Sequence, residues 1–137
     1  MTVPDRVQVP QAVVTALRTH AVEDRPNECC GLLLGRGGEV VAAVAASNEL
    51  ASPIRFRIAP PDYFAAVRLA RARGLEVLGA YHSHPAGGAV PSATDLADAQ
   101  PDFLYVIIGA DTGTGLELRA WWLVERNFRE ITLVPVP

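Results

Sequence analysis

The 137-residue chain carries twelve basic and fifteen acidic side chains, for a formal net charge of −3, and half of its residues are hydrophobic. This length predicts a single domain over residues 1–137, and this share of apolar residues predicts a packed core and excludes a disordered chain. Nucleic acid is not expected as a partner, because neutralising phosphates requires a concentrated basic surface.

The N-terminal residues 1–10 mix charged and apolar side chains and lack the apolar core of a signal peptide. No apolar run in the sequence reaches the ~18 residues that cross a membrane. Two adjacent cysteines, Cys29 and Cys30, are no disulfide framework. We therefore expect a cytoplasmic protein without a membrane partner. The oligomeric state does not follow from these features.

Apolar periodicity and turn residues predict a mixed α/β domain with six or more strands. In chain order the pattern predicts a helix over residues 10–20, strands over 30–34, 40–46 and 54–58, a helix over 62–73, a strand over 75–84, a short helix beginning near Ser92, and strands over 103–108, 116–124 and 128–134. The second helix is expected to place Phe64, Val67 and Ala70 inward.

Two of the three histidines stand in the segment Tyr-His-Ser-His-Pro, where the strand predicted over residues 75–84 ends. Alternate side chains of a strand share a face, so His82 and His84 project together while Ser83 points away. Two adjacent imidazoles form half of a metal site and suit zinc. An arbitrary His-x-His pattern is often only surface decoration. Here the pair ends an apolar strand where a glycine-rich loop begins, which favours a site.

A third ligand must come from elsewhere in the chain, and Asp95 is the better candidate. It lies in the first turn of the short helix that begins near Ser92. The pattern Ser92-x-x-Asp95 also resembles a capping box that fixes a helix start. The two interpretations are compatible, because a fixed helix start would hold a carboxylate near the strand end. His20 is expected instead to interact with the dipole of the first helix.

Glu28 is the fourth candidate, in the Pro-Asn-Glu-Cys-Cys-Gly segment before the strand predicted over residues 30–34. A loop glutamate is usually solvated, so the residue type alone leaves its role open. Cys29 and Cys30 are alternative ligands, since thiolates bind zinc well. Their apolar neighbours favour buried core thiols instead.

The candidate residues together resemble the JAMM motif of the Mov34/MPN/PAD-1 metalloproteases: Glu28…His82-Ser-His84-Pro85…Ser92-x-x-Asp95, with ten residues between His84 and Asp95. The similarity covers residues 7–124 and is that of a small standalone prokaryotic member. It implies a mixed, mostly antiparallel sheet flanked by two long helices and a short helix that carries a metal ligand, an architecture like that of cytidine deaminases.

The resemblance implies that His82, His84 and Asp95 hold Zn2+ and leave a fourth position for water. It implies Glu28 as the general base and Ser92 as a donor to the oxyanion. The implied substrate is the C-terminal tail of a ubiquitin-like or sulfur-carrier protein, cut at a peptide or isopeptide bond after Gly-Gly, with cysteine or another amino acid as the leaving group. The alternatives are a non-catalytic scaffold that binds such a partner and a metal-dependent hydrolase of small amides.

Overall fold

The computed structural model describes residues 3–137, which form seven strands and three helices. In chain order they are β1 (Arg6–Pro10), α1 (Gln11–Glu23), β2 (Cys30–Arg36), β3 (Glu39–Ala46), α2 (Pro60–Ala72), β4 (Glu76–Ser83), α3 (Ala93–Asp98), β5 (Leu104–Asp111), β6 (Leu116–Val124) and β7 (Asn127–Val136). The predicted α/β class is confirmed. Within this part of the chain, no helix combines the length and the apolar character needed to cross a bilayer.

The strands form one closed sheet in the order β1-β3-β2-β4-β5-β6-β7. Four of the seven neighbouring pairs are antiparallel, whereas β1 runs parallel to β3 and β7, and β4 runs parallel to β5. The sequence-based prediction missed β1, which pairs with β7 from Arg6↔Thr132 to Pro10↔Val136. This strand closes the sheet, so the predicted sheet of six or more strands is a barrel of seven.

Two apolar clusters hold α1 and α2 to the sheet. In the larger one α1 contributes Val13, Leu17 and Ala21, which share one helical face at spacings of four residues. Burying a side chain such as Leu17, which is 1% exposed, contributes about 1.5–3 kcal/mol to stability. The smaller cluster lies between α2 and the sheet and fixes the helix beside β2 and β4.

The face that α2 turns to the sheet agrees with the prediction at Ala70 and differs from it at Phe64. Ala66 and Ala70 are buried in the smaller cluster, whereas Phe64 is 59% exposed. The two small side chains let the helix backbone come close to the strands, and this leaves the bulkier Phe64 on the flank. The prediction that Phe64 faces inward is therefore wrong.

The strand predicted over residues 54–58 is also wrong, because only Ile58 forms a bridge, and its partner is Asn48. The Asn48 side chain binds the backbone of this loop instead. Its Nδ2 donates to the carbonyl oxygens of Glu28 at 3.1 Å and Arg55 at 3.0 Å, and its Oδ1 accepts from two backbone amides. These bonds satisfy groups that a strand would have paired with a sheet.

The pairing of β4 with its neighbours places the end of β4 next to the start of β2. Strand β4 pairs with β2 in the register Cys30↔His82 and with β5 in the register His82↔Ile107. Gly79 permits the close contact with β5, because a Cβ there would lie 1.9 Å from the carbonyl oxygen of Leu104. The segment before β2 therefore lies beside the histidines at the end of β4.

Candidate metal centre

Three side-chain atoms from the end of β4 and the start of α3 point at one another. Nε2 of His82 lies 3.2 Å from Nε2 of His84, and Oδ2 of Asp95 lies 3.1 Å from the former and 3.0 Å from the latter. These residues form a group that could hold a metal ion. The structure thus brings together the three side chains that the sequence suggested as ligands.

The spacing and chemistry of this cluster fit a zinc ion. In a tetrahedral site with bonds of about 2.0–2.1 Å, neighbouring ligand atoms lie about 3.3 Å apart, which is close to the three distances found here. All three atoms carry lone pairs, so a cation or a shared proton must lie between them for such short separations to be favourable. Two imidazoles and one carboxylate also leave one corner of a tetrahedron open.

His84 is oriented by the loop that follows it. Its Nδ1 lies 2.8 Å from the carbonyl oxygen of Gly88 and donates to it, so Nε2 presents its lone pair to the cluster. Burial acts to lower the pKa of His84, but the neighbouring Asp95 carboxylate and the Gly88 carbonyl oxygen outweigh this effect and raise it. The same outer hydrogen bond therefore fixes the tautomer that a metal ligand needs.

His82 is held mainly by packing. It is 1% exposed, and its ring stacks on Phe56 with the centroids 4.4 Å apart and the planes at 21°. Burial lowers the pKa of His82 more strongly than Asp95 raises it. Its buried Nδ1 has no hydrogen-bond partner among residues 3–137. The imidazole is therefore neutral, which is the form that binds metals.

Asp95 is fixed by the start of the helix that carries it. Its backbone amide donates to Oγ of Ser92 at 3.0 Å, and the amide of Ser92 donates to Oδ2 of Asp95 at 2.9 Å, which completes a capping box. This Oδ2 is the oxygen that faces the imidazoles. Burial acts to raise the pKa of Asp95, but its contacts with His82 and His84 and the hydrogen bond from the Ser92 amide hold it far below its usual range. The carboxylate is therefore ionised.

Glu28 lies just before β2, beside this cluster. Its side chain is 3% exposed, and its Oε1 has no hydrogen-bond partner within residues 3–137. Burial raises the pKa of Glu28 from 4.5 to about 7, while the charge of His84 opposes the shift and that of Asp95 adds to it. A carboxyl group with this pKa exchanges a proton near neutral pH, as a general base must.

The cysteines that the sequence offered as alternative ligands have a structural role. Cys29 and Cys30 are fully buried and lie outside the metal cluster. Burial raises the pKa of Cys29 to about 11 and that of Cys30 to about 12, so both stay thiols. The amide of Cys29 donates to Oγ of Ser83 at 2.8 Å, which fixes the segment that carries Glu28 against β4. His20, the remaining histidine, lies in the last turn of α1.

Trp121 on β6 supports the site although nothing in the sequence indicates it. Its Nε1 donates to the carbonyl oxygen of Ala89 at 3.0 Å, and Ala89 is fully buried. Gly109 makes room for this loop, because a Cβ there would lie 2.7 Å from the amide nitrogen of Ala89. The preceding carbonyl, that of Gly88, accepts from His84. Trp121 thus anchors the loop that orients His84.

Residues 10–124 match the family described as prokaryotic homologs of the JAB domain. The chain belongs to this JAB-domain family. The match spans Glu28, the metal cluster and Ser92, and it confirms the resemblance to the JAMM proteins. The JAB-domain family is metal-dependent, in agreement with a cluster that could hold a metal ion.

Curated relatives of this JAB-domain chain are named as proteases. A probable TtuB-protein conjugate cleaving protease of Thermus thermophilus is 36% identical over 75% of this chain and 70% of its own length. A desampylase of Pyrococcus furiosus is 32% identical over 87% of this chain and 82% of its own. A CysO-cysteine peptidase of Mycobacterium tuberculosis is 31% identical over 82% and 80%, respectively.

Solved structures share this JAB-domain fold. A solution structure of a protein from Desulfitobacterium hafniense superposes with a TM-score of 0.87 at 29% identity, covering 95% of this chain and 92% of that one. A JAB1/MPN domain protein from Archaeoglobus fulgidus gives a TM-score of 0.60 at 18% identity, with coverage of 96% and 97%. The latter likeness concerns the fold alone.

Proposed function

We propose that this protein is a zinc-dependent peptidase that hydrolyses the peptide or isopeptide bond after the C-terminal Gly-Gly of a ubiquitin-like or sulfur-carrier protein. The observation that carries the proposal is the group of three side chains that could hold a metal ion, His82, His84 and Asp95, beside Glu28. Glu28 is a buried carboxyl group whose pKa is about 7. The names of the relatives, a conjugate cleaving protease, a desampylase and a CysO-cysteine peptidase, support the same class of substrate.

The ligands and the proton acceptor have separate tasks. His82, His84 and Asp95 would hold the metal, which when bound supplies Lewis-acid activation of water and of the scissile carbonyl. Glu28 accepts a proton from the attacking water at its unpartnered Oε1 and returns it to the leaving amine. Such general acid–base work contributes typically about 10²–10⁴-fold to a rate.

Ser92 can cap the helix and assist the reaction at the same time. Its Oγ accepts the hydrogen bond from the amide of Asp95 through a lone pair, which leaves the hydroxyl proton free. The side chain is exposed, so this proton can be donated to the oxygen of a bound substrate carbonyl. A donor aimed at developing negative charge stabilises the transition state.

A groove beside the metal centre offers a path for an extended tail. Its volume is about 580 Å³, and its lining includes Phe56, Arg57, Phe64 and Tyr105. A cavity of only about 20 Å³ shares Phe56 and Tyr105 with it and reaches His82. That space holds about one water molecule. A passage this narrow favours residues without side chains, as in a Gly-Gly pair, next to the metal centre.

An ion pair borders the passage between the two cavities. Nε and Nη2 of Arg55 each lie 3.3 Å from a carboxylate oxygen of Asp98, and both residues line both cavities. The pair connects the loop that carries Phe56 to the helix that carries Asp95.

The proposal is tested by adding zinc-loaded protein to ubiquitin-like carriers that bear C-terminal extensions and recording intact masses. We expect a mass loss that corresponds to cleavage after Gly-Gly, with one bound zinc per chain. The Glu28→Gln variant should retain the zinc and lose cleavage. If both proteins bind a carrier equally and neither cleaves it, the protein is a scaffold. If only small amides are hydrolysed, the proposed substrate is wrong.

A further inference from the structure

The arginines are concentrated beside the groove. Residues 54–75 contain five of the twelve arginines and one acidic residue, for a charge of +4, so the other residues together carry −7 in a chain of net charge −3. The one acidic residue, Asp62, accepts a hydrogen bond from the backbone amide of Ser47 at 2.8 Å. Arg55 is paired with Asp98, and the other four arginines make a positive region beside the groove of an otherwise acidic protein.

Part of this region forms a continuous surface, which we call the α2 face: Arg57, Phe64, Arg68 and Arg71. Phe64, Arg68 and Arg71 follow one another at i, i+4 and i+7, so they share one side of α2. Phe64 and Arg57 line the groove, and Arg68 and Arg71 are exposed beyond it. Seven residues of helix extend the face by about 10 Å past Phe64.

The orientation of α2 directs this face away from the metal centre. The groove begins at Phe56, which stacks on His82, and α2 then leads back towards the start of β4. A tail that enters the passage with its Gly-Gly end therefore has its preceding residues in the groove. The folded domain to which the tail belongs must lie farther out, in reach of Arg68 and Arg71.

The charges of the α2 face are not neutralised within the chain. In the described residues no carboxylate lies within 4.0 Å of Arg57, Arg68 or Arg71, whereas Arg119 forms two hydrogen bonds with Glu130. Like charges three residues apart on a helix destabilise it. An exposed aromatic ring between free guanidinium groups is typical of a protein-binding surface, where arginine and aromatic residues are enriched.

We propose that the α2 face docks the folded domain of the carrier through acidic side chains that surround an apolar spot on that domain. This inference rests on the proposed function, because the tail in the groove determines where the folded domain lies. The guanidinium groups pair with the carboxylates, and Phe64 covers the apolar spot. Complementary charge at such a rim steers association and selects among partners.

The test compares two substrates with the same scissile bond, a folded carrier with a C-terminal extension and a six-residue peptide of its tail with that extension. Arg68→Glu/Arg71→Glu should lower kcat/KM for the carrier at least tenfold more than for the peptide, through KM. The control, Arg6→Glu/Arg126→Glu, makes the same charge change on exposed residues of β1 and of the β6–β7 turn. It should leave the ratio of the two substrates as in the wild type.

Salt and charge reversal on the carrier provide the second readout. The wild-type KM for the carrier should rise between 50 and 300 mM NaCl, and the variant should lose this dependence. A carrier whose acidic residues are changed to arginine should bind the variant better than the wild type. An equal loss for both substrates, or the same loss in the control variant, overturns the docking proposal.

Docking and catalysis can fail separately. If the wild type cleaves neither substrate, the proposed function fails, and carrier binding measured by calorimetry still tests the α2 face. Absence of carrier binding then overturns docking as well. If Arg68 and Arg71 bind RNA or anionic vesicles but no carrier, the face has another partner and the proposal is wrong.

Discussion

Replacing Glu28 with glutamine should slow catalysis strongly and stabilise the metal-free protein. Glutamine keeps the shape of the side chain and cannot take up a proton. The wild-type carboxyl group is 3% exposed, its Oε1 has no hydrogen-bond partner in residues 3–137, and its pKa is raised by burial to about 7. Ionising this carboxyl group inside the folded protein therefore costs free energy, and the variant avoids this cost because its amide stays neutral.

The magnitude follows from the two pKa values. Between pH 4.5 and 7 the unfolded chain has lost this proton while the folded protein retains it, so the free energy of unfolding falls as the pH rises. Each pH unit in this window costs about 1.4 kcal/mol. From pH 5 to pH 8 the wild type should lose about 3 kcal/mol relative to Glu28→Gln.

The assay is urea unfolding of both proteins at pH 5 and pH 8, with a chelator present. Glu39→Gln makes the same chemical change at the exposed first residue of β3 and serves as the matched control. With zinc present, Glu28→Gln should bind the ion and turn over about 10²–10⁴-fold more slowly. A stability difference that is the same at both pH values, or retained turnover, would refute the reasoning.

Three further variants test how the cluster is held. Asp95→Asn should weaken zinc binding by roughly 100-fold or more, because an amide replaces the ionised ligand; zinc affinity is measured by chelator competition, and wild-type affinity would exclude Asp95 as a ligand. Ser92→Ala should cost about 0.5–2 kcal/mol in urea unfolding through loss of the cap, and a further fall in kcat of the zinc-saturated enzyme would identify the donor role. Trp121→Phe should lower zinc affinity by about tenfold, whereas Trp122→Phe should leave it unchanged. Equal effects of the two variants would show that Trp121 does not hold the Ala89 loop in the way inferred here.

The local sequence pattern predicted those features that depend on neighbouring residues. Strand alternation correctly placed His82 and His84 on one face, and the Ser92-x-x-Asp95 spacing corresponds to the capping box in the structure. The alternating residues 54–58 gave a wrong strand, because their backbone is bound within the loop, mainly by the side chain of Asn48. Alternation alone cannot reveal such a competitor.

Features that depend on pairing between distant segments could not be predicted from the residues. β1 is a strand because it lies beside β7, the last strand of the chain. Glu28 reaches the cluster because Cys30 pairs with His82, and Trp121 reaches Ala89 because β5 and β6 pair. The family motif supplied the role of Glu28, but it gave no indication of Trp121.

The oxygen that Asp95 directs at the imidazoles also accepts the backbone hydrogen bond that begins α3. This helix has six residues and contributes none of them to either apolar cluster, so apolar packing does not hold it against the sheet. An ion bound at Oδ2 would therefore connect α3 to the histidines of β4 and hold the helix in place. Adding the metal ion should slow amide hydrogen exchange throughout residues 93–98. The exchange rate of this segment would then measure metal binding in the absence of any substrate.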